Sequence, residues 1–288
     1  MADDLTNSGK ESSSKIGVVF SSGFFGFFAH AGFLAALRDV GISPSGYSGA
    51  SSGAILAAMA AANISDSIIK EILFSLSKSD FWDPDPLPTL LRSLLNLMKG
   101  YTGYLSGDGF ARLLEKIPMR RFEECLTPLV ITATNLTQRR EDTFIRGNLI
   151  KAIQASGAVP MLFKPVEIDG SLYVDGGVVN KAPVQALADL IQPDKIIVHF
   201  VPSADLESPA NSFLRRRMTP WHIHSLSLDI SRQEAYQKQC DLVRQRGIEI
   251  MEVRTDAPPL GPNSLEKGPM AYDKAREATL RILSQTKS

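Results

Sequence analysis

Apolar and polar positions along this chain fall into blocks that switch between two periods. Residues 16–20, IGVVF, form a short β-branched run of the kind that makes a buried strand. A glycine-punctuated turn, SSGFFG, follows. Over residues 30–40 apolar side chains recur at helical spacing and stop at Gly41, a residue suited to a helix C-cap. SGYSG then predicts a second short strand, and AILAAMAAANI an Ala-rich helix. Two successive strand–turn–helix units predict an α/β fold with a mainly parallel central sheet flanked by helices.

The same periods continue to the end of the chain. A helix is predicted over 65–77 with Ser65 as its N-cap, then a break at DPDPLP, then a Leu-rich helix over 89–98. GYTGYLSGDG reads as a loop and residues 110–116 as a helix. LVITATNL predicts a strand, with REDTFIRG beside it as an edge strand. Residues 148–156 read as a helix, SLYVDGG as a strand ending in a turn, and KIIVHFV as a buried strand. A polar helix over 225–246, a late strand in GIEIMEV and a helix over 270–284 complete the series. No linker divides this alternation, so residues 15–288 are expected to form a single domain. Residues 1–14, polar and Ser-rich, are expected to be a disordered tail.

Composition narrows the function classes. The chain has 288 residues, with 31 Lys+Arg against 31 Asp+Glu, so it lacks the basic surplus of a nucleic-acid binder. Cys125 and Cys240 lie far apart and the four histidines do not flank them at ligand spacing, so no metal or other cofactor is expected. The thiols suit a reducing compartment. No stretch approaches the roughly 18 apolar residues of a membrane span, and the N-terminus does not read as a signal peptide. A cytoplasmic protein is expected, with contact at a membrane surface only at its periphery.

The candidate chemistry lies in Gly49-Ala50-Ser51-Ser52-Gly53, a G-x-S-x-G run between a predicted strand and a predicted helix. That context suits a nucleophile elbow, where a serine on a sharp turn is exposed and Gly49 and Gly53 let the flanking backbone close up. The following helix aims its positive end at the reacting centre. A Gly/Ser turn made only for tight packing fits the pattern as well. A serine hydroxyl needs a base. His199, inside an apolar strand, reads as a core residue. His222 and His224, two apart, suit one face of a strand or an exposed pair. Asp175, at the end of a short strand and before Gly176 and Gly177, projects where open α/β sheets carry their sites. A plain Asx turn is the alternative for that tripeptide.

Four stretches together carry a resemblance: residues 49–53, LSGDGFARLLE, ASGAVPMLFKPVEIDGSLYVDGGVVNKAPV, and HAGFLAAL after the first glycine turn. The chain resembles the patatin-like phospholipase family, lipid acyl hydrolases that use a Ser–Asp dyad without histidine. The resemblance spans most of residues 16–200 and implies Ser51 as nucleophile, Asp175 as base, and a lipid or ester as substrate. The family's first loop, typically G-G-G-x-R/K-G, supplies oxyanion-hole N–H groups. Here it is SSGFFGFF, so the hole would fall to Gly23, Phe24 and Phe25. Phe24 stands where the family has glycine, and Gly26 takes the basic position. Phe24, Phe25, Phe27 and Phe28 either pack the core or line an acyl pocket. The Leu-rich segment 81–98 is a buried helix or a lid on lipid, and the Arg-rich segment 213–224 is a solvated loop or a head-group contact. The leading expectation is a serine lipid acyl hydrolase. An acyltransferase or thioesterase on the same fold, a non-catalytic lipid-binding member, and a histidine-dependent hydrolase remain as alternatives.

Overall fold

A computed structural model describes residues 14–86, 88–89, 95, 97, 99–202, 219–255, 257–258 and 260–285. In chain order the elements are β1 Ile16–Phe20, α1 Phe27–Asp39, β2 Gly46–Gly49, α2 Ser52–Ala61, α3 Asp66–Phe74, β3 Gly103–Leu105 and α4 Asp108–Leu114. They continue with β4 Leu129–Asn135, β5 Arg140–Phe144, α5 Leu149–Ser156, β6 Met161–Phe163, β7 Val166–Ile168 and β8 Ser171–Val174. The last are α6 Val184–Ile191, β9 Lys195–Phe200, α7 Pro220–Gln245, β10 Glu249–Arg254 and α8 Gly268–Gln285.

One sheet carries the order β10-β9-β1-β2-β4-β8-β7, with β5 also paired to β4. From β10 to β4 every pairing is parallel, and β5, β7 and β8 join antiparallel. Side chains alternate across it as the pleat requires. Val18, Phe20, Tyr47, Ile131 and Ile197 point into a core shared with α1 and α2. Val19, Ile196, Val198 and Phe200 point the other way, against α6 and α7. The result is helices on both faces of a mixed, mostly parallel sheet.

Local signals place most elements. Asn148 caps α5 by accepting from the Lys151 N–H at 2.9 Å. Ser65 does the same for α3 from Ile68, at a longer 3.5 Å. In α2 every residue is buried, and in α1 all of those from Phe27 to Leu37 are. A helix apolar all round must lie between other layers, and α1 does so between the sheet side and α8. Each fully buried Phe or Leu there contributes about 1.5–3 kcal/mol.

The structure corrects several expectations. GYTGYLSGDG is not all loop: β3 lies within it and pairs with β6 in a separate two-stranded sheet. α1 starts at Phe27 and not at residue 30, so Phe27 and Phe28, read as part of the first loop, belong to its first turn, while Phe24 and Phe25 stay in the loop before it. His222 and His224 lie on helix α7, not on a strand. Residues 1–13, most of 89–98 and residues 213–218 lie outside the described residues, and with them all but the last residue of the expected tail 1–14, most of the Leu-rich helix and the three arginines of segment 213–224, whose residues 220–224 begin α7. No described helix is long and apolar enough to cross a membrane. Cys125 and Cys240 are both free thiols.

Candidate active site

Edge sharing on β4 builds the site. β5 occupies one edge of β4 along Ile131–Asn135. β2 and β8 therefore share the other edge, β2 beside Leu129–Ile131 and β8 beside Thr134 and Asn135. β2 runs parallel to β4 and β8 antiparallel, so their carboxyl ends meet head to head. Gly49 ends β2 opposite Ile131, and Val174 ends β8 opposite Thr134. The next residues, Ala50-Ser51 and Asp175, turn off the sheet into the same gap.

At the first of these ends the chain reverses from β2 into α2. Ser51 has φ 55° and ψ −123°, a left-handed φ for a non-glycine residue. Such a backbone costs of order 1–3 kcal/mol and persists only where the surroundings enforce it. The enforcement is close packing. A Cβ on Gly49 would lie 2.3 Å from the Gly53 carbonyl oxygen, and one on Gly53 2.4 Å from that of Phe20. The Ser51 N–H donates to Ser156 Oγ at 2.8 Å, which ties the turn to the end of α5. α2 begins at Ser52, so the positive end of its dipole faces Ser51.

The second end is the Asp-Gly-Gly turn. Ser51 Oγ donates to Asp175 Oδ2 at 2.6 Å. Asp175 Oδ1 accepts from the Gly177 N–H at 2.7 Å, and its carbonyl accepts from Thr134 Oγ1 at 2.9 Å. Gly176 passes over β4 so closely that a Cβ would lie 2.3 Å from the Thr132 carbonyl oxygen. Asp175 is buried, and burial pushes its carboxyl above the usual range. The Ser51 hydroxyl, the Gly177 N–H and the charges of Arg232 and Lys181 pull it back down.

Gly23, Phe24 and Phe25 form the loop before α1 and share cavity walls with Ser51. Among the described residues no hydrogen bond takes up their N–H groups. The positive φ in this loop falls on Phe25, at 54°, and not on Phe24. Phe24 therefore needs none of the torsions reserved for glycine. Phe27 and Phe28 are core residues. Phe24, Phe25 and Phe27 line a cavity, and Phe25 also packs against that core.

Ser51 lies where two cavities meet. One, of about 90 Å³, is walled by apolar side chains including Phe25, Ile55, Met59, Phe81 and Leu113. The other, of about 850 Å³, is lined by Asp175, Lys181, Asp229 and Arg232 as well as apolar residues.

The histidines play another part. His30 and His199 are buried, and their Nδ1 atoms lie 2.7 Å apart. Burial holds His30 at about 3 and His199 well below its ordinary value, so both are neutral. His30 Nε2 faces the Ser21 carbonyl at 2.9 Å and must carry hydrogen there. Its Nδ1 then accepts from His199 Nδ1–H, and His199 Nε2 accepts from Thr255 Oγ1 at 3.1 Å. Every ring nitrogen is thereby satisfied within the core. Among the described residues no cluster of His, Cys, Asp and Glu is arranged to hold a metal ion.

Sequence reasoning missed Ser156, Lys181, Asp229 and Arg232. Lys181 stands six residues after Asp175 in a stretch that drew attention for its glycines, and Asp229 and Arg232 lie on a helix with no matching pattern.

Comparison with known proteins places these residues in a family context. Residues 18–188 match the family model described as patatin-like phospholipase. An uncharacterized NTE family protein of Mycobacterium tuberculosis is 28% identical over 179 residues, 62% of this chain and 46% of that protein. Lysophospholipase NTE1 of Cryptococcus neoformans is 27% identical over 198 residues, 68% of this chain and 12% of that protein. The chain thus spans less than half the length of these relatives. Among solved structures, VipD from Legionella pneumophila superposes with a TM-score of 0.52 at 14% identity, covering 94% of this chain and 67% of that one. This likeness is one of fold.

Proposed function

Since the chain belongs to the patatin-like phospholipase family, we infer that it is a serine lipid acyl hydrolase in which Ser51 is the nucleophile and Asp175 the base. The observation that carries this reading is the 2.6 Å hydrogen bond from Ser51 Oγ to the buried carboxylate of Asp175. Asp175 takes the hydroxyl proton as Oγ attacks the ester carbonyl carbon. The carbonyl oxygen becomes an oxyanion within reach of the N–H groups of Gly23, Phe24 and Phe25. Each such donor is worth about 3 kcal/mol in the transition state. Asp175 then gives its proton to the departing alcohol, leaving an acyl ester on Ser51. Water repeats the sequence, Asp175 taking its proton and returning it to Ser51. An acyltransferase or thioesterase would share the first half and differ in the acceptor or the leaving group.

The apolar cavity suits the first carbons of an acyl chain and the polar cavity the leaving alcohol. Phe24 and Met161, both more than half exposed, stand at the rim of the polar cavity and suit contact with a lipid surface. With no described helix long and apolar enough to cross a membrane, this reading has the protein meet lipid at the membrane surface.

The direct test is labelling with a fluorophosphonate, which modifies only an activated serine. The expected adduct is on Ser51 and disappears in Ser51→Ala. A wild-type chain that takes no label there would end this reading. The acyl cavity has its own test. Leu113→Trp adds bulk to its wall from the half-buried face of α4. Displacing about two methylenes at about 0.8 kcal/mol each is expected to cost at least tenfold in kcat/KM for long-chain p-nitrophenyl esters. Acetate and butyrate esters should be little affected, and an unchanged chain-length profile would remove this cavity from the mechanism.

A further inference from the structure

Four acidic and basic side chains, besides His224, line the polar cavity. Asp175 and Lys181 come from the turn after β8 and the loop that follows it, and Asp229 and Arg232 from α7. Asp175 and Asp229 are each 6% exposed and Lys181 is 2% exposed. Arg232 forms an ion pair with Asp229, one turn before it on α7. It also donates through Nη1 to the Gly177 carbonyl at 3.3 Å, bracing the Asp-Gly-Gly turn. The set holds two carboxylates and two cations, so it is neutral as a whole.

A base is useful only when ionised, and a buried carboxylate resists ionisation unless a positive charge stands near. With Arg232 paired to Asp229, Lys181 is the second cation in the cavity wall to balance Asp175. On the basis of the Ser51–Asp175 reading above, we propose that Lys181, together with Arg232, is a positioning residue that keeps Asp175 ionised in its buried site so that it can accept the Ser51 proton.

Other groups around Lys181 do not replace it. Arg254, at the end of β10, is ion-paired with Glu252. Its guanidinium lies over the Phe200 ring at 4.4 Å, and Lys181 Nζ is 5.6 Å from the same ring. Glu141, on β5, bonds to Asn180 Nδ2 at 3.3 Å. His224, on α7, lines the same cavity. Burial and the Arg232 charge bring the Lys181 amine down to about 7, against the pull of Asp229 and Asp175. The amine is therefore charged below about 7, the range in which the acid limb of a carboxylate base falls.

The test is the pH dependence of the rate at which a fluorophosphonate labels Ser51 in the full chain. Each variant's fold is followed by circular dichroism and thermal melting. Lys181→Met removes the charge and keeps the apolar stem. Its acid limb is expected to move upward by about one pH unit or more, the usual reach of one nearby opposite charge. Lys181→Arg restores the charge and should return the limb toward the wild type. Asp229→Asn removes a competing negative charge and should move the limb downward. A role confined to packing would lower the rate at every pH without these opposed shifts. If Lys181→Met does not fold, Lys181→Gln, which keeps a polar head without the charge, makes the same measurement. An unmoved limb in the folded variants overturns the proposal while the Ser51 reading survives. Absence of wild-type labelling overturns both.

Discussion

Asp175→Asn is expected to lower kcat for ester hydrolysis by at least about 10⁴-fold, the scale seen when a group acting on a nucleophile's proton is lost. The hydrogen bonds say why so small a change is so costly. Asp175 Oδ1 accepts from the Gly177 N–H, and Oδ2 accepts from Ser51 Oγ. An amide has one acceptor oxygen. If it stays on Gly177, the NH₂ group faces Ser51 Oγ and donates where a proton must be received. The fold should not suffer. The folded-state pKa of Asp175 is raised by burial, so its ionised form costs stability as pH rises through that value. The neutral Asn removes that cost, and the melting temperature at neutral pH is expected to equal or exceed that of the wild type. The same sign predicts wild-type activity falling as pH drops through the Asp175 pKa. Turnover retained in Asp175→Asn would remove the carboxylate as base and reopen the histidine-dependent alternative.

The Ser51 and Asp175 positions were legible because each is announced locally. A G-x-S-x-G run between a strand and an Ala-rich helix, and an Asp-Gly-Gly at a strand end, are signals contained within ten residues. The way they meet was not legible. It depends on β2 and β8 dividing one edge of β4, and on β8 running antiparallel to it. Register between strands of four residues leaves no trace in periodicity. The start of α1 was hidden for a different reason. Its N-cap is Gly26, with no side-chain hydrogen bond, and its first residues are Phe27 and Phe28, so neither a cap nor a polar face marks it. The charge cluster was least visible of all. Lys181 reads like any solvated lysine until α7, about fifty residues later, brings Asp229 and Arg232 against it, and the long polar pattern of α7 suggests only a solvent-facing helix. His199, in contrast, was rightly read as a core residue from its apolar strand alone.

Gly53→Ala is expected to destabilise the chain by about 3 kcal/mol or more, a large share of the 5–15 kcal/mol typical of a folded domain. The added carbon would lie 2.4 Å from the Phe20 carbonyl oxygen and 2.7 Å from that of Ser21. Both obstacles are backbone at the end of β1, which is held by β2 on one side and β9 on the other. α2 cannot retreat either, since all of its residues are buried. The measurement is urea unfolding, with the midpoint falling while the slope stays constant. Gly41→Ala is the comparator. Its φ is 75°, but a Cβ there meets nothing within 4 Å, so it carries only the backbone penalty of about 1–2 kcal/mol. The contrast separates crowding from conformation. A Gly53→Ala chain as stable as Gly41→Ala would show that the elbow has room to relax. The left-handed backbone of Ser51 would then have no packing to hold it. The strained serine and the crowded glycines stand or fall together, because the same contact between β1 and the first turn of α2 that excludes a methyl group also presses Ser51 out over the sheet toward Asp175.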